Sequence, residues 1–449
     1  MEIGSDQGVH PSIRPEERYE RLGWIPKKFQ STFSLHVPGG RDTLHPKTPS
    51  IRDCPSIFGP NGYERLPSRF LRETFEGRWE MSFDRLPRGR TLAVTSIMGI
   101  GDSLVNFLSW TNVHEIPLGK ALYDDILVYQ DDMQSGQWSK AGIPLNGRTI
   151  NARGSAACSY LMWSGHIGIR APFVPTLTTA IVRARNGNIY KKTVRVGLKK
   201  AKRSQLERIG LPREVWVDEW LSQIERRRGK SKMLACRLIV DVGPRIAEAC
   251  GASVECWPSS EEIAEAKQYG DRHVDMVLKY TKGNVPRNVL VDFDFAQIVR
   301  NWIDSERPKL VNAYVRRTKL PPPRGLFLSD APGYEGTPIS KSRLYECFRL
   351  AVPGYTGRWY PHKGRHYFTC MYLLKRVQSS ASLHGKAIAE MPADWVRSQV
   401  ASHWDTASEL LGHSDPATTK IYAKWIVTIH QGYDASEGWT AEFDEEADA

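Results

Sequence analysis

The sequence predicts a mixed α+β fold, mainly helical, with a small antiparallel sheet in its second half. Apolar residues recur at helical spacing between about 100 and 175 and through much of 205–430, the mark of amphipathic helices. Two strand-like runs, 274–280 and 288–293, flank a Lys-Gly-Asn turn, which predicts a hairpin. With 449 residues, 41% hydrophobic and 25% charged, the chain has a globular composition and room for two or three cores.

In chain order, residues 1–95 are rich in Pro, Gly and Arg without a sustained period, and are expected to form an N-terminal extension of unassigned role. Residues 96–180 are expected to be a helical domain. Leu104, Phe107 and Leu108 open its first apolar face, and Leu122, Ile126, Tyr129 and Met133 continue at i, i+4, i+7 and i+11. Thr149 is the expected cap of a third helix carrying Ile150, Ala157 and Leu161 on one side. Arg148 and Arg153 near its start are candidate phosphate contacts, with a solvated helix face as the plain alternative for each.

Residues 181–204 are expected to be a basic interdomain linker with some strand character. Nine cations fall between Arg183 and Arg203 with no carboxylate among them. Like charges packed this densely repel one another unless a polyanion joins them. Arg183, Arg185, Lys191, Lys192, Lys199, Lys200, Lys202 and Arg203 are therefore candidate DNA contacts, with a solvated flexible linker as the plain alternative. Residues 205–430 mix helical stretches at 214–227, 234–242 and 245–250 with the hairpin, after which helices run to Trp425. The tail, 431–449, is acidic: seven carboxylates and no Lys or Arg lie from Asp434 onward.

Lys and Arg outnumber Asp and Glu by 62 to 50, a net +12 with pI near 9.3. Such a balance favours a polyanionic partner, because phosphate neutralisation releases counterions. Seven scattered cysteines without a Cys-x-x-Cys pair predict neither a zinc site nor a disulfide framework. No apolar run approaches the ~20 residues of a membrane span, and the first residues lack a signal-peptide pattern. A cytoplasmic, nucleoid-associated protein without membrane contact is expected.

Four segments in the second half carry chemistry. In Gly243-Pro244-Arg245-Ile246-Ala247-Glu248, Gly-Pro breaks one helix and starts another, which puts Arg245 at a helix start, where anions bind well. Lys282-Gly283-Asn284 puts Lys282 at the hairpin tip. In His362-Lys363-Gly364-Arg365, helical spacing of three lets His362 and Arg365 address one ligand oxygen. In Leu411-Gly412-His413-Ser414-Asp415-Pro416, Gly412 ends a helix and Ser-Asp-Pro starts another, with Tyr422 two turns in. Taken singly, each has an ordinary structural explanation.

Together, and in this order, the segments resemble the tyrosine recombinase (phage integrase) family. That family has an Arg followed three residues later by Glu, a hairpin Lys, a His-x-x-Arg helix, and Leu-Gly-His with a Tyr nine residues on. Here these are Arg245 with Glu248, Lys282, His362 with Arg365, His413 and Tyr422. Leu326-Phe327-Leu328-Ser329 resembles the family's lead-in to the third segment. The resemblance covers roughly 100–430. It implies a core-binding (SAM-like) domain over 96–180 and a catalytic domain over 205–430. The sequence departs from the family at Gly364, where an apolar residue is usual, and in an extra stretch at 376–402. It also departs around the hairpin Lys, where Thr281 and Val285 stand and Lys279 is the alternative.

The resemblance implies strand cleavage by Tyr422 through a 3′-phosphotyrosyl link, without metal ion, ATP or other cofactor. Arg245 and Arg365 would clamp the phosphate oxygens, assisted by His413. His362 would serve as base, and Lys282 would protonate the leaving 5′-oxygen. The implied partners are double-stranded DNA, three further copies in a tetramer joined through C-terminal segments, and accessory proteins. The outcome would be integration or another rearrangement of a mobile element. A type IB topoisomerase or a non-catalytic DNA-binding relative are the alternatives.

Overall fold

The computed structural model describes residues 28–38, 50–80, 91–183, 189–200, 210–271, 273–279, 281, 285–412 and 426–427. The chain divides into two compact units, Met1–Ser204 and Gln205–Ala449.

Among the described residues, the first unit is built on four α-helices, α1 (Arg65–Phe75), α2 (Val94–Val113), α3 (Tyr123–Ser135) and α4 (Gly147–His166). A three-stranded antiparallel sheet, β1 (Ser34–His36), β2 (Ser56–Gly59) and β3 (Gly62–Tyr63), and a hairpin, β4 (Leu177–Arg183) with β5 (Ile189–Arg195), complete it. Trp110, Trp138, Trp163, Phe107 and Tyr129 are fully buried, and aromatic burial on this scale dominates the core's stability. The predicted apolar faces of α2 and α4 are inside, but Leu122 is exposed and precedes α3. The cap of α4 is Asn146, not Thr149: its side-chain oxygen accepts the Arg148 N–H at 2.9 Å.

The expected boundary at residue 95 does not separate two cores. Ile57, Phe70, Leu71 and Phe75 belong to the same buried cluster as Leu104 and Trp163. Phe70 meets Trp163 edge-on at 5.7 Å, and the Trp163 Nε1–H donates to Glu73 at 2.8 Å. Much of the basic segment is likewise part of the unit rather than a linker. Arg195 is buried and donates to Gln130 and, at 3.1 Å, to the Asn151 carbonyl. Gly197 and Lys199 carbonyls accept from Gln130 and Asn151 at 2.7 and 2.8 Å. The segment thus supplies the acceptors that polar groups on α3 and α4 need.

The second unit holds α5 (Glu214–Arg228), α6 (Lys230–Asp241), α7 (Ile246–Gly251), α8 (Ser260–Gln268), α9 (Phe293–Ser305), α10 (Arg307–Thr318), α11 (Lys341–Phe348), α12 (Pro361–Leu383) and α13 (Ala393–Leu411). The antiparallel pair β6 (His273–Leu278) and β7 (Arg287–Asp292) forms the predicted hairpin. Val274, Met276 and Leu278 face inward and alternate with exposed neighbours, as a half-buried strand requires. Mixed α+β, mainly helical, is therefore the observed class.

Two sequence oddities have physical explanations. A Cβ on Gly364 would stand 3.0 Å from the Phe348 ring and 3.2 Å from Val240, so the missing side chain is what lets α12 approach α6 and α11. The extra stretch 376–402 is no separate insert. It lengthens α12 to Leu383 and starts α13 at Ala393. Val377, Ala381, Val396 and Val400 from it are buried in the unit's core.

Candidate active site

Arg245 is the N-cap of α7. Its backbone N–H donates to Glu248 Oε2 at 2.7 Å and its guanidinium Nη1 to Oε1 at 2.9 Å. Glu248 is the third helical residue, so an acidic side chain can turn back and satisfy the first donor of the helix. The same carboxylate receives a second arginine. Arg287, the first residue of β7, donates through Nη1 to Oε1 at 2.9 Å and through Nη2 to Oε2 at 2.6 Å. Arg365 Nη1 lies 3.9 Å from Oε2. One buried carboxylate thus stands among three guanidinium groups.

All three arginines also reach the C-terminal end of α13. Arg287 Nε donates to the Leu410 carbonyl at 3.0 Å, Arg365 Nη2 donates to the Leu411 carbonyl, and Arg245 Nη2 donates to the Gly412 carbonyl at 3.3 Å. The last carbonyls of a helix lack helical partners and carry its negative dipole end, so cations are the natural caps. Gly412 adopts the left-handed conformation, φ 60°, which glycine enters without Cβ strain. Arg365 further donates to the Gly243 carbonyl at 2.7 Å. It is 1% exposed, whereas the Arg245 side chain is 30% exposed.

Burial alone would raise the Glu248 pKa, but hydrogen bonds from Arg287 and the Arg245 backbone, with both positive charges, hold it below the usual carboxylate value. Three guanidinium groups against one carboxylate leave two positive charges in excess, so the exposed edge of the cluster suits an anion. His362 stands in the first turn of α12, with its ring 4.5 Å from that of His366. Partial desolvation, then the charges of Arg365 and Arg245, lower its pKa below the ordinary histidine value. That favours the neutral, proton-accepting form near pH 7.

Arg245 and Arg365, far apart in sequence, are therefore brought together on Glu248, and His362 stands one turn before Arg365 on α12, close enough for both charges to act on it. Lys282, His413 and Tyr422 lie outside the described residues. The alternative Lys279 is exposed just beyond β6. On the far side of Tyr422, Ile426 and Val427 are buried in this unit's own core. Sequence reasoning missed Arg287. Its signal was available in retrospect: it opens the strand that follows the hairpin lysine.

Of the candidate DNA contacts, Arg148, Lys191, Lys192 and Lys200 are exposed. Lys199 is tied to Asp131 at 2.5 Å, and Arg153 is half-buried with Nη1 3.7 Å from Met133 Sδ. Both are therefore occupied inside the unit, and less available to a ligand than their charge suggests. Arg185, Lys202, Arg203 and the Arg183 side chain lie outside the described residues. Among the described residues, no helix is long and apolar enough to cross a membrane.

No protein-family model matches the chain, and no curated protein matches it. Among solved structures it is similar to the XerH site-specific recombinase bound to palindromic difH substrate, at 14% identity over 78% of this chain and 81% of that one, with TM-score 0.44. It is similar to the Tn1549 transposon integrase in complex with transposon right end DNA, at 14% identity over 80% and 93%, TM-score 0.42. It is also similar to a lambda integrase dimer bound to a core site, at 11% identity over 75% and 90%, TM-score 0.42. These are distant likenesses in chain course.

Proposed function

We propose that this chain is a site-specific tyrosine recombinase that breaks and rejoins DNA strands through Tyr422. The observation that supports this best is the convergence of Arg245, Arg365 and Arg287 on three successive carbonyls, Leu410 to Gly412. The chain then runs directly into the segment bearing His413 and Tyr422. Gly412, the last of these carbonyls, precedes the candidate nucleophile by ten residues.

Attack on a phosphodiester spreads negative charge over the non-bridging oxygens. Positioned cationic donors stabilise that charge, and such donors are usually the largest catalytic contribution. Arg245 presents the exposed guanidinium and meets the phosphate first. Arg365, buried behind it, adds positive field in a low-dielectric setting and donates to the phosphate once the Leu411 carbonyl yields its place. His413 supplies a further donor. The unperturbed tyrosine pKa is about 10, so the phenol needs help to react. His362, held neutral, takes the proton, and Lys282 gives one to the leaving 5′-oxygen. The 3′-phosphotyrosyl link retains the bond energy for rejoining, so metal ion and ATP have no step to serve.

The partner is double-stranded DNA, with Arg148, Lys191, Lys192 and Lys200 of the first unit as backbone contacts. A tetramer on two duplexes, formed by exchange of C-terminal segments and aided by accessory proteins, would complete the reaction in the cytoplasm, on the nucleoid. Because Ile426 and Val427 are buried in their own unit, an exchanging arm would begin beyond them.

The test starts from DNA junctions mapped in cells expressing the chain. A nicked suicide duplex built on such a junction should trap a covalent protein–DNA adduct, absent in Tyr422→Phe. No adduct from the intact chain would refute the activity. Exchange of partners on a two-site plasmid separates a recombinase from a topoisomerase, which would only relax supercoils.

A further inference from the structure

We propose that Arg287 is a positioning residue for strand cleavage, holding the Glu248 carboxylate and the end of α13 in one geometry that aims Arg245 at the scissile phosphate. The inference rests on the preceding functional reading and adds to it a residue outside the resemblance.

Arg287 is built to hold partners rather than to meet a ligand. Its side chain is 12% exposed. Two donors grip both oxygens of Glu248, at 2.9 and 2.6 Å, and a third reaches the Leu410 carbonyl at 3.0 Å. A bidentate fork of this kind fixes the plane of the carboxylate. Arg245 is held more lightly, by one N–H on Glu248 Oε1 and a longer 3.3 Å bond to Gly412. A guanidinium has five N–H donors, and Arg245 keeps part of its surface exposed. The orientation of Arg245 therefore follows from that of Glu248, and that of Glu248 from Arg287.

Position in the chain strengthens the inference. Arg287 is the first residue of β7 and follows Lys282 by five residues. The strand that returns from the candidate general acid thus closes on the same carboxylate that orients the candidate phosphate clamp. Loss of Arg287 would leave Glu248, 2% exposed, without its two-pronged partner, and would release the Leu410 carbonyl.

The experiment measures duplex affinity and single-turnover cleavage separately, on the nicked junction duplex, for the full-length chain and for Arg287→Ala and Arg287→Lys. The expected result for Arg287→Ala is cleavage about 100-fold slower, the scale of a small misplacement of reacting groups, with affinity within about threefold of the intact chain. Arg287→Lys keeps the charge but not the fork, and should recover part of the lost rate. Unchanged cleavage in Arg287→Ala would overturn the proposal. So would an affinity loss that matches the rate loss, which would make Arg287 a phosphate contact. Equal loss of rate in both variants together with early thermal unfolding would also overturn it, by making the role structural. Because the intact chain is assayed alongside, failure of the functional reading shows as absence of any adduct before a variant is considered.

Discussion

Asp132 in the first unit and Glu248 in the second are equally hidden, 1% and 2% exposed, yet their chemistry runs in opposite directions. Asp132 accepts from the Trp110 indole N–H at 2.8 Å and lies 3.6 Å from His114, and burial pushes its pKa up to about 7. Glu248 receives two guanidinium groups and stays below the usual carboxylate value. Burial does not decide the charge of a carboxylate; the donors that share its burial do. The first unit uses its carboxylate to build a core, whereas the second uses one to assemble cations.

The sharpest way to break this contrast is Glu248→Ala, which removes the shared acceptor of Arg245 and Arg287. Leaving partly buried guanidinium groups unpaired should cost about 3–5 kcal/mol, read as a lower denaturant midpoint. Next in size is Arg365→Ala, or Arg245→Ala. Cleavage should fall by about 100- to 1000-fold while most duplex affinity remains, since many phosphate contacts persist. Normal single-turnover cleavage with lost affinity would contradict the clamp role.

The pH responses should differ in sign. The Glu248 pKa is lowered on folding, so its stabilisation is present above the unfolded value of about 4.3 and is lost as pH falls through the folded one. The Asp132 pKa is raised, so its contribution is full below about 3.9 and fades as pH rises toward about 7. Asp132→Asn, which can still accept from Trp110, should flatten the melting temperature of the first unit between pH 4 and pH 7, as calorimetry can read. It should leave cleavage unchanged. The smallest effects belong to the surface. Lys191→Glu with Lys192→Glu should weaken duplex binding and reduce its salt dependence.

Part of this was legible from spacing. The i, i+3 pair of His362 and Arg365 and the two strand-like runs around the Lys-Gly-Asn turn are local patterns, and local patterns survive in sequence, whereas the link of Arg245 to Glu248 was read through the family resemblance. Arg287 was not legible, because its role depends on Glu248 and Leu410, 39 and 123 residues away. The helix α1 was hidden for another reason. Arg65, Arg69, Arg72 and Glu73 dilute its composition, although Phe70, Leu71 and Phe75 hold a buried face. The basic segment misled in the opposite sense: Lys199 looks like a ligand contact by charge and is the partner of Asp131 by geometry.

Three cations on three consecutive carbonyls also set the angular register of α13. Successive residues of an α-helix are turned by about 100°, so a slip of one residue would present each guanidinium with an acceptor pointing elsewhere. The end of this helix works as an index mark, read by arginines drawn from three different elements.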